Sequence, residues 1–77
     1  MGRFDPRLRA HFPGVWRTPQ IRTKDYGEVF GQVKREGPRS WRAELRRPSG
    51  DLVRDLGPWR SCQDAVDEIF SFDKDAG

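Results

Sequence analysis

Apolar and polar residues alternate with a period of two from Tyr26 onward. Val29, Gly31 and Val33 fall on one side of the segment, and Phe30, Gln32 and Lys34 on the other. Glu36-Gly37-Pro38 follows as a turn signal. Trp41, Ala43 and Leu45 then line one face while Arg42, Glu44 and Arg46 line the other, the alternation of a half-buried strand. In Arg47-Pro48-Ser49-Gly50-Asp51 the proline presets the first turn residue. The glycine can take the left-handed conformation that a short hairpin needs. A third strand runs to Leu56 and is stopped by Gly57-Pro58. The pattern predicts antiparallel strands over 26–35, 40–47 and 51–56.

After Pro58 the period changes to that of a helix. Ser61 can cap it, and Asp64 lies three residues later, close to a capping box. Cys62, Ala65, Val66, Ile69 and Phe70 make one apolar stripe, with Asp64, Asp67 and Glu68 on the other side. A helix is expected over 61–71, with a frayed tail. Residues 1–24 carry Pro6, Pro13 and Pro19, with Phe4, Phe12 and Trp16 between them. Asp5-Pro6 suits a helix start and Pro13-Gly14 ends whatever began there. This segment reads as an arm with room for a short helix, its aromatics available to anchor it.

The expected fold is therefore α+β: a three-stranded antiparallel sheet with one C-terminal helix packed on one face, preceded by a basic, proline-rich N-terminal arm. The division is 1–24 for the arm and 25–77 for a small β-β-β-α domain. Trp41, Ala43 and Leu45 should face the helix, the only cover available. The opposite face, with Phe30, Gln32, Lys34, Arg42, Glu44 and Arg46, is then left open.

Charge separates the two segments. Residues 1–24 hold six basic side chains against Asp5, a balance of +5, while residues 25–77 hold nine basic and eleven acidic, a balance of −2. A basic arm ahead of a nearly neutral domain suits a polyanion. Twelve arginines against three lysines also fit a composition bias, which explains the choice of arginine but not its placement.

At 77 residues there is room for one small domain and little for a cleft. His11 and Cys62 are the sole histidine and cysteine, and their spacing suggests no metal site. His11 reads as a bystander, and Cys62, on the apolar stripe, as a buried inert thiol. No nucleophile, base or metal constellation appears, so the chain reads as no enzyme, with no cofactor and no small-molecule substrate. A lone cysteine fits a reducing compartment, and no apolar run reaches membrane-span length. The expectation is a cytoplasmic protein that does not engage a membrane.

Residues 26–70 resemble the plant ethylene-response-factor (APETALA-type) DNA-binding domains. Trp41, Ala43, Glu44, Leu45 and Arg46 match that family's second strand. Leu56-Gly57-Pro58-Trp59 match the end of its third, Ser61 to Ala65 the helix start, and Tyr26-Gly27 its opening. Integrase arm-binding domains are similar in plan. The resemblance implies a sheet laid in the major groove, which a β-ribbon can enter. It carries DNA contact onto Glu44 and Arg46. The family's first-strand arginines fall on or near Phe30, Gln32 and Lys34, and its third-strand arginine and tryptophan become Val53 and Asp55. Small bacterial domains of unknown function are similar too, with an aromatic strand, a Ser-Gly hairpin and Gly-aromatic-x-Ser before the helix.

Two functions follow. The first is a small non-enzymatic DNA-binding module or accessory regulator, with double-stranded DNA as partner. Lys34, Arg42 and Arg46 would contact phosphate or guanine, Glu44 would read cytosine or repel phosphate, and Arg3, Arg7 and Arg9 would follow the backbone or a minor groove. Replacing Arg42 or Arg46 should then leave stability unchanged, since neither packs on the helix. The second is a protein-interaction module, a phage-like inhibitor or adaptor meeting a host or partner protein. It would use Phe30 on the open face and Trp16 in the arm.

Overall fold

The hairpin turns carry the expected chemistry, and there are two more of them than the alternation indicated. In the computed structural model, residues 6–75 are described. Pro13-Gly14 starts no unstructured stretch; it turns one strand back on another, with Gly14 at φ 80° in the left-handed region. Proline followed by a left-handed glycine is the signature of a type II turn. The strands it joins are β1 (Arg9–Phe12) and β2 (Val15–Thr23). They continue into β3 (Gly27–Gly37), β4 (Ser40–Arg46) and β5 (Leu52–Trp59), and then into helix α1 (Cys62–Phe70).

The expected three-stranded sheet is thus a five-stranded one. Its order is β1-β2-β3-β4-β5, every neighbouring pair antiparallel. The α+β class holds; the strand count and the arm do not. Among the described residues no helix precedes Cys62. Period-two reading missed β2 because a bulge shifts its phase between Arg17 and Gln20. Pro19 sits within that bulge, where a missing N–H is tolerated. Thr18 Oγ1 accepts the Gly31 N–H there at 2.8 Å, which satisfies a donor the ladder would otherwise leave free.

β5 also outruns its expected stop, passing through Gly57 and Pro58 to pair Trp59 with Trp41. It is an edge strand, and its register slips between Ala43 and Glu44, with Gly57 at φ 83°. A proline and a bulge are both at home on such an edge, and both blunt it against pairing with another chain.

Helix α1 begins as the sequence indicated, the Asp64 N–H donating to Ser61 Oγ at 3.1 Å. Ala65, Val66 and Ile69 are fully buried against Ile21, Val29, Val33, Ala43 and Leu45. Trp41, Cys62 and Phe70 are half-buried at the margin of this cluster. Gly31 lies beneath Ile69, so close that any Cβ there would collide with the isoleucine side chain. The glycine in the middle of β3 is what lets the helix settle on the sheet. The tail beyond the helix does not fray at once. Lys74 donates its N–H to the Arg22 carbonyl at 2.9 Å, and Asp73 bridges to Thr23, pinning the tail to the outer edge of β2.

Candidate functional site

The second face of the sheet has no layer over it, yet its centre is not open. Antiparallel register partners share a face. The pairs Arg9–Arg17, Arg17–Gln32, Gln32–Glu44 and Glu44–Asp55 therefore form one row across all five strands. On one side of this row lie Gln20, Phe30, Arg46 and Leu52; on the other lie Phe12, Val15, Lys34, Arg42 and Pro58.

Glu44 is at the hub and only 5 % exposed. One carboxylate oxygen, Oε1, accepts from Gln32 Nε2 at 3.1 Å and from Arg46 through Nε at 3.3 Å and Nη2 at 3.1 Å. Its other oxygen lies 3.7 Å from Lys34 Nζ. Gln32 in turn accepts from Arg17 Nε at 3.0 Å, and Arg46 also donates to the Gly50 carbonyl at 2.8 Å. A buried carboxylate is costly unless paired and hydrogen-bonded, and here it is both. The arginine stems complete the cover. Phe30 is 8 % exposed beneath the Arg17 guanidinium, whose carbon stands 4.8 Å from the ring centroid.

Arg42 belongs to a second, more exposed cluster. It donates to Glu36 Oε2 at 3.0 Å and to both Asp55 oxygens at 2.9 and 2.8 Å. These bonds, to Glu36 first and then Asp55, raise the Arg42 pKa further above its ordinary range. Asp55 is held below the usual carboxylate range, chiefly because the Gly57 N–H donates to it at 2.8 Å, and secondarily by Arg42.

Lys34, Arg42, Glu44 and Arg46 are therefore brought together as the alternation indicated. Arg9 joins them through its register with Arg17, a neighbour sequence reading did not single out. Arg7 does not: its guanidinium lies 3.9 Å above the Phe70 ring and 4.0 Å from Asp67, on the helix side. Arg3 falls outside the described residues. Arg42 and Arg46 do not pack on the helix, as expected, but each is paired with a carboxylate of this chain, Asp55 and Glu44 respectively. Glu44, expected to read cytosine, is buried, with Oε1 taken up by Gln32 and Arg46 and Oε2 beside Lys34. Phe30 is covered, and Trp16 packs on Trp41 with ring centroids 5.5 Å apart.

The Arg9 guanidinium on this face, and those of Arg39 between β3 and β4 and Arg47 after β4, have no hydrogen-bond or ion-pair partner among the described residues. The charge is layered. Residues 6–60, the sheet and its turns, hold thirteen basic side chains against six acidic, with Arg7, Arg35 and Arg54 among the basic ones lying on the helix side, while residues 61–75, the helix and tail, hold five acidic against Lys74.

Among the described residues no group of histidine, cysteine or carboxylate side chains is placed to hold a metal, and no helix is long and apolar enough to cross a membrane. Neither a protein-family model, a curated protein nor a solved structure matches the chain.

Proposed function

We propose that this chain is a small, non-enzymatic module that binds double-stranded DNA with the sheet face opposite the helix. The observation that carries the reading is the layering of charge, a basic sheet beneath an acidic helix. Such a molecule presents one side to a polyanion and turns the other away. The resemblance of 26–70 to sheet-based DNA-binding domains agrees with the face used, and a DNA-binding module of this kind would work in the cytoplasm.

The pairing on that face decides what sort of contact it makes. Glu44 and Asp55 already occupy the Arg46 and Arg42 guanidinium groups, and base reading needs a free bidentate fork. Arg9, Arg17 and Lys34 keep donors for phosphate oxygens. The binding is thus phosphate-led and weakly selective for sequence, and Glu44 acts by positioning its neighbours. The protein-interaction alternative rested on Phe30 and Trp16, and both are engaged within the chain.

The test is a salt titration of binding to random-sequence duplex. Micromolar binding at low salt is expected, the logarithm of affinity falling with that of salt by about 0.9 per phosphate contact. Arg9→Ala should reduce that slope by about one and leave the melting temperature alone, since Arg9 is exposed and holds nothing. No binding at low salt, or an unchanged slope in Arg9→Ala and Lys34→Ala alike, would overturn the reading.

A further inference from the structure

Among the described residues, Phe12 is the large aromatic hydrophobe that the fold leaves exposed. It is 62 % exposed at the end of β1, next to the Pro13-Gly14 turn. An exposed ring alone would need no explanation, but here the backbone is bent to present it. Ala10 pairs with Trp16 and Phe12 with Val15, so His11 is an extra residue bulged out of β1. Without that bulge, strict alternation would send Phe12 to the side of Ala10 and Trp16, toward the helix. With it, Phe12 shares the face of Val15 and Lys34. Bulges re-aim side chains in this way. The His11 ring stands edge-on to Phe12, centroids 4.2 Å apart, which limits where the phenyl ring can turn. Arg9 and Arg17 lie on the same face one row away.

We propose that Phe12 is a base-stacking wedge. While Arg9, Arg17 and Lys34 hold phosphates of duplex DNA, the ring enters at a base step, partly unstacks it and bends the duplex. This rests on the DNA-binding reading and adds an apolar contact with the bases to it. Apolar side chains flanked by cations insert at base steps and kink the helix. Stacking on an aromatic ring tolerates any base, in keeping with a face that does not read sequence. Unstacking is easiest at a mismatch, so the module should prefer a duplex that carries one.

The experiment uses the full chain and short duplexes labelled at both ends with a donor and an acceptor fluorophore, matched or with one central mismatch. The parent should shorten the end-to-end distance and bind the mismatched duplex about tenfold more tightly, an effect of the size of one stacked base. Phe12→Ala should lose both the bend and the preference while keeping the salt slope, because the ring carries no charge. Phe12→Trp should restore them. Exposure of Phe12 means the alanine variant should melt like the parent, which a thermal scan checks. A parent that binds without bending, or a Phe12→Ala variant that bends like the parent, removes the wedge and leaves phosphate binding standing. A parent that does not bind duplex at low salt removes the DNA reading and the wedge together.

Discussion

The two faces of the same sheet are buried by different physics. On the helix side, Val29, Val33, Ala43 and Leu45 are sealed by Ala65, Val66 and Ile69, with no polar group among them. On the other, Phe30, Gln32 and Glu44 are buried nearly as completely, but by the stems and charged heads of arginines from the same face. The first face obtains its stability from area removed from water, about 1.5–3 kcal/mol for each large side chain. The second must match every buried charge with a partner, and its net gain is smaller because desolvation offsets attraction. An apolar face is finished when it is covered. A charge-paired face still has cations at its margin, and it can meet another molecule without first unfolding.

The strongest way to break this comparison is on the helix side. Ile69→Ala should cost about 2–5 kcal/mol, measured by chemical denaturation, because Ile69 is fully buried over Gly31. A variant that melts like the parent would show that the helix stripe does not hold the core. Gly31→Ala should cost about 1–3 kcal/mol by forcing Ile69 aside. Combined with Ile69→Ala it should cost clearly less than the sum, since the collision is gone. Strict additivity would mean that the helix does not rest on that glycine.

On the polar side, Glu44→Gln should cost about 1–3 kcal/mol, because the donors of Arg46 and Lys34 lose a charged acceptor. The same variant should bind duplex more tightly at every sequence, its cations no longer neutralised. Weakening at one sequence alone would instead make Glu44 a base reader.

The smallest effect belongs to the exposed Arg42 cluster and sharpens the contrast through pH. Asp55 has a depressed folded value, so its contribution is full above the ordinary carboxylate range. It is lost as pH falls through the lower folded value. Asp55→Asn should therefore melt slightly below the parent at neutral pH, with the gap closing in acid. A gap independent of pH would show that the ionised Asp55 carboxylate contributes nothing to stability.

Much of the helix-side architecture was legible in the chain. Alternation identified β3 and β4, and Ser61 with the 3.6-residue stripe identified α1. Each depends on neighbours along one segment, and local pattern reports these well. β1 and β2 escaped because their signals conflict. Pro13 and Pro19 look like breaks, and the bulges at His11 and at Thr18-Pro19 shift the side-chain phase partway through each strand. Pro13-Gly14 flanked by Phe12 and Val15 was the available sign of a hairpin. Of the site, the grouping of Lys34, Arg42, Glu44 and Arg46 was legible for the same period-two reason. The addition of Arg9 and Arg17 was not, since it needed the missed strands.

The sequence by itself determined which residues each of β3, β4 and α1 turns inward, because side-chain direction follows from the repeat of the local backbone. Tertiary structure alone decided what those faces meet. It brought Arg17 over Phe30 from a segment that reads as an arm, and set Gln32 between Arg17 and Glu44. It gave Arg46 and Arg42 to carboxylates of this chain instead of leaving them for a partner. It also pinned the tail to β2 through Lys74. Such pairings join residues far apart in sequence, and their energies depend on burial and distance. Neither quantity exists until the sheet has closed around them.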